Sequence, residues 1–292
     1  MPKQPLPIYQ IQDFNAQAQK ERYFYVNSFA NHLQEHLFTR EPHKHDFYIV
    51  ILITKGSGTH TIDFKKYEVR PNTIFFMKPG QVHSWEISED ADGMVVFFTS
   101  EFYLKEFPYR KLYDFPFFNA LLYQPKLTVS EAGKMLILQV YEALQKEYAV
   151  PVFMRNEMLR SYLNIMFINL ARMYHAQGFK GEMAGKELVL LQHLEDLIEQ
   201  HFKEHAPVTF YAGHLNVTTK HLNEVCKRSV GKTTNELLQE RLLLEAQRLL
   251  VHSELTSSQI ATELGYFDTT YFFRFFKKHV GQTPEQFRSA GK

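Results

Sequence analysis

The chain has 292 residues, of which 45% are hydrophobic and 22% charged, and its formal net charge is +1. That length suits two domains, the composition is that of an ordinary globular protein, and the near-zero charge excludes the strongly basic domain that would announce a nucleic-acid partner outright. A single cysteine, Cys226, excludes an internal disulfide or a zinc–thiolate cluster and suits a reducing interior.

In chain order, residues 1–20 are polar and lack the apolar stretch of a secretory leader. The most apolar short run, 47–53, is far too short to span a bilayer. The expectation is a cytoplasmic protein with no membrane partner. Residues from about 23 to 102 read as short strands, clearest at 47–54, 58–64, 73–77 and 94–99, with turns at 55–58 and 78–81. Such spacing suggests a small antiparallel barrel or sandwich. His43 and His45 share one strand face and His83 comes from a facing strand. Three imidazoles can hold a divalent metal, or can hydrogen-bond a ligand or the barrel itself. Trp85, the only tryptophan, is placed to stack on a ligand or to pack the core.

Two helices follow, 130–148 and 153–176, split by Pro151. The second carries Leu159, Tyr162, Leu163, Met166 and Phe167, an apolar face broader than one packing partner needs. Residues 177–186, with Gly178, Gly181 and Gly185, read as a flexible linker, and 187–202 as a helix leading into the second half.

That half contains a repeat. Thr219 falls on Thr269 at an offset of 50, and so do Lys227 on Lys277, Gly231 on Gly281 and Thr233 on Thr283. Each copy reads as a short helix (210–215; 259–264), a tight turn at Asn216 or Gly265, and a second helix capped by Thr218 or Asp268. The second helix stops at Gly231 or Gly281, and a capping box follows at 233–236 or 283–286. Helix, turn and helix are the parts of a helix-turn-helix. A long helix, 235–250, would fix the distance between the two units. From position 187 onward there are 12 Lys/Arg against 13 Asp/Glu, so the positive charge is local, in patches around 220–232 and 274–278.

The runs Ala261-Thr-Glu-Leu-Gly265-Tyr-Phe-Asp268, Tyr271-Phe-Phe-Arg-Phe-Phe-Lys-Lys278 and Gly281-Gln-Thr-Pro284 resemble the signature of the AraC/XylS family of bacterial transcription regulators. The resemblance covers roughly 190–290; the first unit is looser, with Cys226 where an aromatic is more typical. Pro42-His-Lys-His45-Asp-Phe-Tyr48, Gly56-Ser-Gly58 and Pro79-Gly-Gln-Val-His83 are similar to the cupin-like sensor half of such regulators. The implied fold is two-domain α+β. An N-terminal cupin-like antiparallel β-barrel (about 23–102) with two C-terminal helices (about 130–176) forms a domain at 1–176. A linker at 177–186 leads to an all-α DNA-binding domain at 187–292, with helix-turn-helix units at about 209–231 and 257–281. The implied function is a sequence-specific DNA-binding transcription regulator, an activator by the family's common mode. A small-molecule effector, a sugar or other metabolite, would bind in the barrel against His43, His45, His83 and Trp85. The resemblance further implies a homodimer and RNA polymerase as a partner.

On the second helices the core positions are spoken for, which leaves Thr219, Lys220 and Asn223, and Thr270, Phe273 and Arg274, to face base edges. Lys227, Lys277 and Lys278 are expected on phosphates. Metal-binding cupins carry a glutamate a few residues past the His-x-His pair. Here that stretch is Phe47-Tyr-Ile-Val-Ile51, so neither a metal nor another cofactor is expected. Two other readings remain: a metal-dependent cupin enzyme fused to a regulatory helical domain, and a helical adaptor whose repeat binds a protein. No Ser-His-Asp ordering or phosphate-binding glycine loop supports an enzyme.

Overall fold

The computed structural model describes residues 6–14, 22–36, 41–107, 109, 112–119, 124–177 and 185–290. They fall into two compact units, one running from 7 to 177 and the other from 185 to 290. Most of the expected linker, 178–184, lies outside the described residues.

The first unit is built on strands β1 (Ile8–Tyr9), β2 (Phe24–Ser28), β3 (Lys44–His45), β4 (Tyr48–Lys55), β5 (Gly58–Ile62), β6 (Lys65–Val69), β7 (Thr73–Met77), β8 (His83–Ile87), β9 (Asp92–Phe98) and β10 (Lys126–Thr128). A five-stranded antiparallel sheet has the order β10-β7-β4-β9-β2, a three-stranded one β6-β5-β8, and β1 pairs with β3 in parallel. Among the described residues these ladders do not join into one closed ring. The small barrel is realised as two facing sheets.

The sequence of β4, Tyr-Ile-Val-Ile-Leu-Ile-Thr-Lys, does not alternate apolar with polar, because both faces of its sheet are covered. A period of two still sorts the residues. Val50 and Leu52, with Ile74, Phe76, Met94, Val96 and Phe98, enter one core. There they meet Ile137 and Leu144 of α3 (Glu131–Ala149) and Leu159, Leu163, Phe167 and Leu170 of α4 (Arg155–Ala176). Ile49, Ile51 and Ile53, with Phe75, Val95 and Phe97, enter a second core. Ile62, Val69 and Trp85 of the small sheet and Phe29 of α1 (Phe29–Glu35) complete it. The short α2 (Ser100–Leu104) is capped by Thr99. The histidines therefore lie on the sheet face away from α3 and α4.

The second unit is all helical. Its elements are α5 (Gly185–His201), α6 (Val208–His214), α7 (Thr219–Val230), α8 (Thr234–His252), α9 (Ser257–Glu263), α10 (Thr269–Val280) and α11 (Pro284–Ala290). The expected caps form. Thr218 accepts from His221 N, Asp268 accepts from Thr270 N, and Gly231 and Gly281 end their helices at φ 75° and 81°. Thr233 and Glu236 make a reciprocal capping box. A further box, Thr256 with Gln259, starts α9 two residues ahead of the sequence expectation. The turns between paired helices use Asn216 at φ 54° and Gly265 at φ 81°. Only glycine fits the second turn, because a Cβ there would lie 1.9 Å from the Lys203 carbonyl oxygen.

Candidate nucleic-acid interface and effector site

Two amphipathic helices carry the candidate interface. Helix α7 buries Leu222, Val225 and Cys226 and exposes Lys220, His221, Glu224, Lys227 and Arg228. Helix α10 buries Phe272 and Phe276 and exposes Thr270, Tyr271, Arg274, Lys277 and Lys278. Residues three and four apart share a helix face, so each exposed set is one continuous stripe. Cys226 is a core residue: burial pushes its thiol pKa up, against a 3.5 Å contact with the Thr234 hydroxyl.

Ion pairing explains how a near-neutral unit presents positive charge. Lys203 pairs with Glu263 at 2.6 Å, Arg228 with Glu187, Lys232 with Glu240 at 2.7 Å, and Arg241 with Glu199 at 2.7 Å and Glu245 at 3.0 Å. Arg248 reaches Glu245, and Arg288 donates to the carbonyls of Ser253 and Leu255. Among the described residues from 187 onward, the basic side chains left without such a partner are Lys220, Lys227, Arg274, Lys277 and Lys278. All five stand on the exposed stripes of α7 and α10.

Two expected base readers have other occupations. Asn223 is half-buried, and its Oδ1 accepts the Thr234 N–H at 3.0 Å, capping the first turn of α8. Its carboxamide is thus not free for the bidentate adenine pairing on which that expectation rested. Phe273 is partly buried against the core of Leu242, Ile260, Leu264 and Phe276. Thr219 is half-buried, whereas Thr270 is exposed beside Asp268. The most exposed aromatics described in the second unit, Phe267 in the turn and Tyr271 four residues later, are 109% and 70% exposed and are not among the expected site residues. Tyr271 stands three residues before Arg274 within α10 and so shares its helix face.

In the first unit, four imidazoles gather between the sheets. His43, His45, His60 and His83 are all buried. The Nε2 atoms of His45 and His83 lie 2.7 Å apart, and His60 Nε2 lies 2.9 Å from His83 Nδ1. His43 Nδ1 donates to the Glu41 carbonyl oxygen at 2.6 Å. Burial holds these rings neutral: it pushes His43 down to about 4, against the opposing bond to the Glu41 carbonyl, and His45, His60 and His83 well below the usual imidazole range, where neighbouring imidazoles add to the effect. Trp85 is stacked on His60 at 3.5 Å and 10°, with Phe29 and Phe75 edge-on to it. The tryptophan packs the core; His60, which the sequence reading did not select, takes the stacking role.

Comparison with known proteins places both units. The family described as "AraC-like ligand binding domain" matches residues 25–108, and "Helix-turn-helix domain" matches 211–290. The chain belongs to the AraC/XylS family. It is similar to the HTH-type transcriptional activator RhaR of Escherichia coli strain K12, with 24% identity over 246 residues, 84% of this chain and 86% of the relative. RhaR of Cronobacter sakazakii is likewise 24% identical, over 248 residues. Among solved structures, fatty-acid-bound ToxT from Vibrio cholerae covers 92% of this chain and 95% of its own, at 14% identity and a TM-score of 0.45.

As an AraC/XylS member the chain is an effector-controlled, DNA-binding transcription regulator, not an enzyme. No helix among the described residues is long and apolar enough to cross a membrane. The two stripes expose hydrogen-bond donors at Lys220 and Arg274 and further positive charges at Lys227, Lys277 and Lys278, the side-chain types that duplex DNA takes on its base edges and phosphates.

Proposed function

We propose that this regulator is a cytoplasmic activator that grips one face of duplex DNA with α7 and α10 together. In this reading Lys220, Thr270 and Arg274 meet base edges, Thr219 helps at the start of α7, and Lys227, Lys277 and Lys278 hold phosphates. Asn223 and Phe273 support the helices from behind. The observation that carries the reading is the partition of charge: Glu187, Glu199, Glu240, Glu245 and Glu263 hold structural cations, and the five basic side chains left unpaired among the described residues lie on the two stripes. The effector lies against His43, His45 and His83 in the first unit, with Trp85 acting through His60. Residues 177–186 link the sensor to the DNA-binding half.

Homodimerisation through α3 and α4 fits the apolar surface left at their junction and along α4: Phe153 is 93% exposed, Met154 55%, Met158 44% and Ile165 45%. A dimer presents four second helices to DNA, and RNA polymerase is the partner through which an activator acts. RhaR, which the chain resembles over 84% of its length, carries the name activator.

The test is selection of preferred sites from random duplex DNA with the full chain. Two short motifs about one helical turn apart, roughly 34 Å, are expected. Absence of enrichment at low salt, from protein shown to be folded, would sink base-specific binding.

A further inference from the structure

We propose that His43, His45 and His83 bind a divalent transition-metal ion of the zinc, cobalt, nickel or copper type, with His60 orienting His83. The proposal rests on the reading of the histidine face as the ligand site, and it names the chemistry of a ligand. One ring nitrogen from each of the three residues can be chosen such that all lie within 4.8 Å of one another.

Hydrogen bonding around two of the three rings, His43 and His83, is that of metal ligands. A ligating imidazole usually gives its second N–H to a carbonyl, carboxylate or other acceptor, which fixes the tautomer and turns the lone pair toward the ion. His43 does this: Nδ1 donates to the Glu41 carbonyl, leaving Nε2 buried with no partner. His83 does it when Nδ1 donates to His60 Nε2 across 2.9 Å. The Nε2 atoms of His45 and His83 face each other at 2.7 Å, so one proton must sit between two lone pairs.

An ion takes the place of that proton. His45 then carries its hydrogen on Nδ1, an atom now buried without a partner, and all three rings remain neutral with no proton released. Buried polar atoms without partners are few in a native protein and call for an explanation such as an ion. His43 Nε2 is such an atom, and the ion gives it a partner.

The donor set selects the metal. Three neutral nitrogens with no carboxylate suit zinc, nickel, cobalt or copper and are wrong for calcium or magnesium. Bonds of about 2.0–2.1 Å in a tetrahedral site put ligand nitrogens roughly 3.3 Å apart. The His45–His83 pair must open slightly and the widest separation must close, by ring movements of about 1 Å. A fourth position stays open to water or to an anionic group of a larger ligand.

The test uses the full chain, stripped of metal, titrated with Co²⁺ and followed by visible absorption, and with Zn²⁺ by calorimetry. One ion per chain is expected, together with a rise in Tm that a chelator reverses. His43→Ala is expected to abolish saturable binding, and His60→Phe to weaken it about 10-fold to 100-fold, the usual cost of losing an outer partner. His221→Ala, on the exposed face of α7, should leave it unchanged. No saturable binding by the wild-type chain, or binding that survives His43→Ala in protein folded by circular dichroism, would overturn the proposal. DNA affinity measured with and without Zn²⁺ separates the two readings. A change supports both; metal binding without a change leaves the metal site standing and removes the ion as the effector.

Discussion

Asn223 and Arg274 illustrate how alike two polar residues look in a sequence and how differently they are used. Both occur on the outer half of a second helix, yet the Asn223 amide caps α8 through Thr234 N–H, while Arg274 is exposed with no ion pair among the described residues. Asn223→Ala is therefore expected to lower stability by about 1 kcal/mol, the worth of one cap, and to leave the preferred base sequence unchanged. Arg274→Ala should leave Tm alone and cost ~1–3 kcal/mol of discrimination at one base position. Thermal unfolding and competition between site variants separate the two; equal loss on all sequences would put Arg274 on a phosphate. Glu245 gives a third residue-scale expectation. Burial raises its carboxyl pKa, but the guanidinium groups of Arg241 and Arg248 outweigh that and hold it below the ordinary value. A carboxyl depressed in the folded state contributes stability above its unfolded pKa, about 4.3, and loses it as pH falls through the lower folded value. Glu245→Gln should thus cost about 1–2 kcal/mol at pH 7. Melting curves across the acid range should show that gap closing below about pH 4.

At the scale of elements, the helical half was largely legible because its signals are local. Thr218, Gly231, Thr233, Asp268 and Gly281 each act within one turn of themselves, and all stand where the repeat placed them. The Thr256–Gln259 box follows the same rule and starts α9 two residues ahead of the expected Gln259. Strands β2, β8 and β10 are not distinguished individually, since their partners are distant in sequence: Leu127 pairs with Ile74, and Val26 with Val96; β6 forms a tight hairpin with β5, and its polar Lys65-Lys-Tyr-Glu-Val69 run hides it instead. The same non-locality hid His60, which joins the histidine site only because β5 pairs with β8. Phe267 and Tyr271 were hidden for the opposite reason, as aromatics in a run of aromatics, where only exposure distinguishes reading residues from core. They are expected to meet thymine methyl groups in the major groove. Replacing thymine by deoxyuridine at each position of a selected site in turn should weaken wild-type binding at one or two positions, by about 0.8 kcal/mol per methyl. Phe267→Ala and Tyr271→Ala should erase that sensitivity at their own positions. If both variants keep the full thymine preference, the aromatics do not touch the bases.

For the whole molecule, the net charge of +1 and the proposed grip on DNA make opposite demands, and salt dependence decides between them. If charge were spread evenly, a neutral chain would release few counterions and its DNA affinity would barely change with salt. Separation of charge changes the count. Glu187, Glu199, Glu240, Glu245 and Glu263 are held by structural cations, while Lys220, Lys227, Arg274, Lys277 and Lys278 stay unpaired among the described residues. Each phosphate neutralised on B-DNA contributes about −0.9 to the slope of log affinity against log salt. The three phosphate contacts proposed at Lys227, Lys277 and Lys278 give a slope of about −2.7 for one chain, and a dimer with both chains engaged about −5.4. Binding isotherms of the full chain from about 50 to 200 mM salt read the number directly. Lys277→Ala should move the slope by about 1 toward zero while leaving the preferred sequence intact. A slope near zero would mean that these three lysines do not reach phosphates. The repeat would then fit a protein partner better than a duplex.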